Sequence, residues 1–249
     1  MTALKTDEVL RAEAEAIHGR GPAPGVRSLN GLNSAALCLS GGGIRSAAFA
    51  LGVIQAFAAH PRPDPSGFAP VDSANRSLLA KFHYLSTVSG GGYIMANAVR
   101  KIEIDLGVQI RFRGLEQLKR RPEDSSDIGA GHPYHAIGEI DYCSADRGEI
   151  DSRCENGFIL YIKAGYHGCE SAGIRGYARA HLDFPHQSTI DQWFSESQFE
   201  SYRALGFEIT DSILCRALAA DDCAADPSFA KLFAAWYKES EKLVPVSAS

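Results

Sequence analysis

With 249 residues, 45% of them hydrophobic, the chain is long enough for one sizeable α/β domain. A formal charge of −5 and a pI near 5.9 argue against nucleic acid as a partner, and the run Lys119-Arg120-Arg121 beside Pro122 reads as a solvated helix end. The N-terminus holds Asp7 and Glu8 without an apolar core, so no signal peptide is expected. The longest apolar-rich stretch, residues 47–59, is about 13 residues where a bilayer span needs roughly 20.

Residues 5–18 predict an amphipathic helix with Leu10, Ala14 and Ile17 on one face, ended by a Gly/Pro-rich linker over 19–25. The apolar run Ala35-Ala36-Leu37-Cys38-Leu39 predicts a central strand buried on both faces. It enters Ser40-Gly41-Gly42-Gly43, and a helix follows over 44–59 until the prolines at 61, 63 and 65 stop it. A second strand over 82–88 runs into Ser89-Gly90-Gly91-Gly92, and a helix from near Tyr93 reaches Ile104. Residues 106–112 alternate as a strand, 121–131 form a polar loop, and 135–142 with 157–163 predict two antiparallel strands. Residues 172–240 are mostly helical, with Trp193, Phe194, Phe199 and Tyr202 spaced as a packing face. Strand, glycine loop and helix in succession define an α/β fold.

Three consecutive glycines between a strand and a helix let the backbone adopt positive φ and approach a ligand closely. They also leave N–H groups open at a helix N-terminus, suited to a phosphate or to the oxyanion of a tetrahedral acyl intermediate. A dinucleotide fingerprint is not met, because Ser46 holds its last glycine position and no acid closes a second strand about 20 residues on. Arg45 is expected to pair structurally or to shape the loop. Around Ser89, a strand, a serine, glycines and a helix follow one another as in a nucleophile elbow, although Thr87 stands where the G-x-S-x-G form has its first glycine. Gly90 and Gly91 supply the small neighbours such a turn requires.

Together, S-G-G-G-I-R-S at 40–46 and Y-L-S-T-V-S-G-G-G-Y at 84–93 resemble the bacterial patatin-like phospholipase family. The resemblance implies a doubly wound α/β sheet and hydrolysis of lipid acyl esters by a Ser–Asp dyad. By position, Ser89 is the nucleophile and Gly41, Gly42 and Gly43 are the oxyanion donors, with no cofactor and no metal. The stretches N-A-V-R-K-I-E-I-D-L-G-V at 97–108 and 158–206 are similar to the C-terminal region of larger family members. The implied organisation is an N-terminal helix and linker over 1–30, and the first half of a patatin-like domain over 31–99. A C-terminal-like segment over 100–206 and a helical tail over 207–249 complete it. The implied partner is a lipid acyl ester or a membrane surface. The implied location is the cytoplasm, with peripheral membrane contact.

The family's base aspartate lies in a D-G-G or D-G-A turn, and no Asp in this chain is followed by Gly. The resemblance therefore implies an incomplete sheet, with the central segment and its base missing and apolar surface left exposed. The alternative to a lipid acyl hydrolase is an impaired or inactive remnant that at most binds lipid or a protein partner. Asp105, Asp141, Asp146 and Asp151, with His132, His135, His167, His181 and His186, follow Ser89 in the order of a triad, but order alone is weak support. His83 is expected to pack within the fold, and His186, after Pro185, to fix a loop. The six cysteines show no C-x-x-C pair and no histidine at metal-ligand spacing, so free thiols are expected.

Overall fold

A computed structural model describes residues 6–18, 34–39, 41–60, 77–87, 109–113, 118, 134–141, 156–188, 193–219 and 228–241. Their architecture is mixed α/β. Helix α1 spans Thr6–His18, followed by strand β1 at Ala36–Leu39 and helix α2 at Gly43–Ala59. A 3-10 turn at Leu78–Lys81 leads to β2 at Tyr84–Thr87. Strands β3 (Gln109–Arg113), β4 (His135–Asp141) and β5 (Gly157–Ile162) come next. Helices α3 (Ala172–Ala180), α4 (Glu196–Leu218) and α5 (Phe229–Glu241) follow.

The described strands form two sheets. β1 and β2 pair in parallel, with Ala36 opposite Tyr84 and Leu39 opposite Thr87. β3, β4 and β5 form an antiparallel sheet in that order. The strands expected within 35–39 and 82–88 are present at Ala36–Leu39 and Tyr84–Thr87, and the antiparallel pair expected at 135–142 and 157–163 forms as β4 and β5. The helix expected from Tyr93 and the loop over 121–131 lie outside the described residues.

The expected burial of β1 on both faces is not met. Ala36 and Cys38 are exposed, Leu37 and Leu39 half-buried, and on β2 Leu85 is 65% exposed. An apolar run shows that a strand can be covered on both faces; only the elements packed on it decide whether it is.

Helices α2 and α4 make the most extensive helix contact. Each contributes a glycine to it: Gly52 lies against the backbone of Arg203 and Phe207, and Gly206 against that of Phe49. Helix α4 begins with Ser195, whose Oγ accepts the Gln198 N–H at 3.2 Å, the first half of an S-x-x-Q capping box. One hydrophobic cluster joins α2, β4, α4 and α5 through Val53, Phe57, Ile137, Tyr202, Leu205, Ile209, Leu232 and Trp236. Phe82, just before β2, reaches it by ring contacts with Phe57 at 5.1 Å and Phe229 at 4.5 Å. The parallel pair is thus anchored to the helical half.

Of the aromatic face expected between 193 and 202, Tyr202 is buried and Phe194 and Phe199 are half-buried. Trp193 is 92% exposed. It precedes the Ser195 cap, so helical spacing does not carry it onto the buried side of α4.

Candidate active site

The last pair of the parallel ladder is Leu39 with Thr87, so the chain leaves both strands at one edge of the sheet. Beyond Leu39 the backbone turns through Gly42 (φ 150°) and Gly43 (φ 68°), a region L side chains rarely enter. Gly43 is the first residue of α2. The N-cap, Gly42, makes no side-chain cap, and the first turn holds no acid. The N-cap residue therefore supplies no side chain to the opening N–H groups of α2, which lie at the positive end of the helix dipole. Ser89, Gly90 and Gly91 lie outside the described residues; Thr87, two positions before Ser89, is described and exposed.

Arg45 points into structure. Its Nε is buried with no hydrogen-bond partner among the described residues, and its charge acts on Tyr202 of α4. Burial pushes the Tyr202 phenol up to about 12, with Arg45 opposing the shift. The Tyr202 hydroxyl donates to Gln187 Oε1 at 3.1 Å. The charge of Arg45, near the start of α2, is thus felt at Tyr202 of α4.

His83 is engaged at the opposite end of the parallel pair. Its Nδ1 accepts the Ala35 N–H at 3.0 Å, and its own N–H donates to Ala35 O at 2.8 Å. It therefore pins the entry of both strands, away from the glycine loop.

The described triad candidates lie on other elements. Asp141 ends β4 opposite Gln109 in the antiparallel sheet. His135, 3% exposed, opens the same strand; burial, then the charge of Arg216, lowers its pKa to about 4, so it is neutral at pH 7. The His167 ring lies against Tyr134 at 4.6 Å, and His181 stacks on Tyr177 at 4.2 Å. The His186 N–H closes a turn onto Asp183 O at 2.6 Å, in keeping with a loop role. Asp105, Asp146, Asp151 and His132 lie outside the described residues.

A different cluster escaped the sequence. His60, Asp211 and Cys215 present one ring nitrogen, one carboxylate oxygen and one sulfur, all within 4.8 Å of one another. Their distance along the chain hides them, although Asp211 and Cys215 are one helical turn apart.

Neither family models, curated proteins nor solved structures give a match to the chain. Among the described residues, no helix is long and apolar enough to cross a membrane.

Proposed function

We propose that the chain is a patatin-like serine acyl hydrolase that keeps its oxyanion loop and nucleophile turn but lacks the family's base turn. The parallel register of β1 and β2 carries this proposal, because it brings the exits after Leu39 and Thr87 to a single edge. Ligand sites in open α/β sheets form outside the carboxyl ends of their strands. There the Ser89 Oγ would attack an acyl carbonyl carbon, and the N–H groups of Gly41, Gly42 and Gly43 would stabilise the resulting oxyanion. The Oγ proton must leave as that bond forms. With no Asp-Gly turn to supply the base, it passes to water, and rate falls by roughly 10²–10⁴. The finer reading of the fold, an incomplete doubly wound patatin sheet, belongs to the same proposal. So do a lipid acyl ester as substrate and peripheral contact with the cytoplasmic face of a membrane.

Fluorophosphonate labelling of the purified chain tests it. The probe should label one serine covalently, Ser89→Ala should abolish the labelling, and activated esters should turn over slowly while natural phospholipids do not turn over measurably. Labelling that persists in Ser89→Ala would end the assignment of the nucleophile.

A second reading, a lipid-binding remnant without turnover, draws on the exposed Leu85 of β2, since a complete sheet of this type covers its strands. It expects self-association or binding of an apolar dye by the full chain, reduced in Leu85→Lys. A monomer that binds no dye would count against it.

A further inference from the structure

We propose that His60, Asp211 and Cys215 bind a zinc-class divalent ion that pins the end of α2 to the C-terminal part of α4. His60 caps α2 in extended conformation (φ −112°, ψ 148°), and its carbonyl accepts the Leu78 N–H at 2.7 Å. Its ring is 2% exposed, so its backbone is held and its side chain has little room to turn. Asp211 and Cys215, at i and i+4 of α4, share one face of that helix. Asp211 Oδ1 meets His60 Nε2 at 2.8 Å.

Around a tetrahedral zinc ion, with bonds of about 2.0–2.3 Å, ligand atoms stand roughly 3.3–3.8 Å apart. The His60–Asp211 pair stands closer than that, at 2.8 Å, and all three ligand atoms lie within 4.8 Å of one another. Rotations of Asp211 and Cys215 around a fixed His60 ring would therefore admit the ion. An imidazole nitrogen, a carboxylate oxygen and a thiolate suit zinc or cobalt(II), whereas calcium and magnesium take oxygen ligands. Three protein ligands leave a fourth position for water.

A nucleophilic relay among the same three residues is a poorer fit. Such a relay engages both ring nitrogens, one with the carboxylate and one with the thiol. Here His60 Nδ1 is buried with no hydrogen-bond partner among the described residues. Metal binding balances in protons and charge. The Cys215 thiol releases its proton to solvent, and the ring proton of His60 resides on Nδ1. The two negative ligands then neutralise the ion. Because no acceptor for Nδ1–H stands among the described residues, affinity should fall below that of a four-ligand structural site.

Cobalt(II) titration of the full, chelator-dialysed chain, followed by absorption, tests the site. One ion per chain should bind with a thiolate-to-metal charge-transfer band, and zinc should displace it and raise the thermal midpoint. Cys215→Ala should lose the band and bind at least about 10–100-fold more weakly; Asp211→Asn should weaken binding similarly and keep the band. Asp211→Asn retains a partner for the His60 ring, so it decides the matter if Cys215→Ala fails to fold. Absence of cobalt binding, or binding that Asp211→Asn leaves unchanged, overturns the proposal.

Discussion

Gly206→Ala and Gly52→Ala should each cost about 2 kcal/mol or more of stability, while Gly176→Ala on α3 should add about 0.5–1 kcal/mol. All three substitutions remove a helical glycine and gain similar helix propensity, so packing alone separates them. A Cβ on Gly206 would strike Phe49 O and sit 3.0 Å from the Phe49 carbonyl carbon. One on Gly52 would strike Arg203 O and sit 2.6 Å from Phe207 N. Both obstacles are backbone, which cannot rotate aside as a side chain can. Helices α2 and α4 would have to separate, opening gaps around Ala48, Val53, Leu205 and Ile209, all buried there. At Gly176 nothing lies within 4 Å of the added atom. The first substitution opens the gap that the second needs, so the double variant should lose less than the sum. Urea unfolding of the four variants measures this. A Gly206→Ala protein as stable as the parent would show that the helices do not meet so closely.

Acid should destabilise the chain through His135, by up to about 3 kcal/mol once the pH falls to 4. In the fold its pKa is lowered to about 4 from the ordinary 6.5, because burial, and then Arg216, disfavour the imidazolium. Above about pH 7 the ring is neutral in both states and the group contributes no pH dependence. Between 6.5 and 4 the unfolded chain takes up a proton that the folded chain does not, so unfolding becomes easier as pH falls. Below 4 both states are protonated and the loss is complete. His135→Gln removes the titration, so the parent's unfolding free energy relative to the variant's should fall by up to about 3 kcal/mol from pH 7 to pH 4. A difference independent of pH from 7 to 4 would refute the assignment.

Local pattern made much of this fold readable. The helix over 44–59 declared itself by composition and by the prolines behind it, and the hairpin over 135–163 by alternation between polar segments. Parallel pairing of β1 and β2 followed from the strand–helix–strand order, which returns a chain beside its start. Coverage was not readable. The residues at 35–39 carry the same apolar run whether one face or two is covered, and Cys38 and Leu85 are exposed because too little packs on them. Trp193 belongs to the same aromatic run as Phe194, Phe199 and Tyr202, yet it lies before the cap at Ser195 and outside the helix. In the candidate site, the turn at Gly42 and Gly43 was legible because glycine alone takes such angles easily. The trio of His60, Asp211 and Cys215 was not, since only tertiary packing joins residues 151 apart. Gly52 and Gly206 were hidden for the same reason: a lone glycine in a helical pattern does not say what approaches it.

The contact between α2 and α4 also sets a schedule for synthesis. His60 and Asp211 are 151 residues apart, and ribosomes add about 5–20 residues per second. For roughly 8–30 s, then, α2 has emerged while the surface that buries Val53 and Phe57 has not been made. Through that interval the nascent chain presents an apolar helix to the crowded solution around the ribosome. Its yield in the cell depends on how well that helix is shielded until its partner arrives.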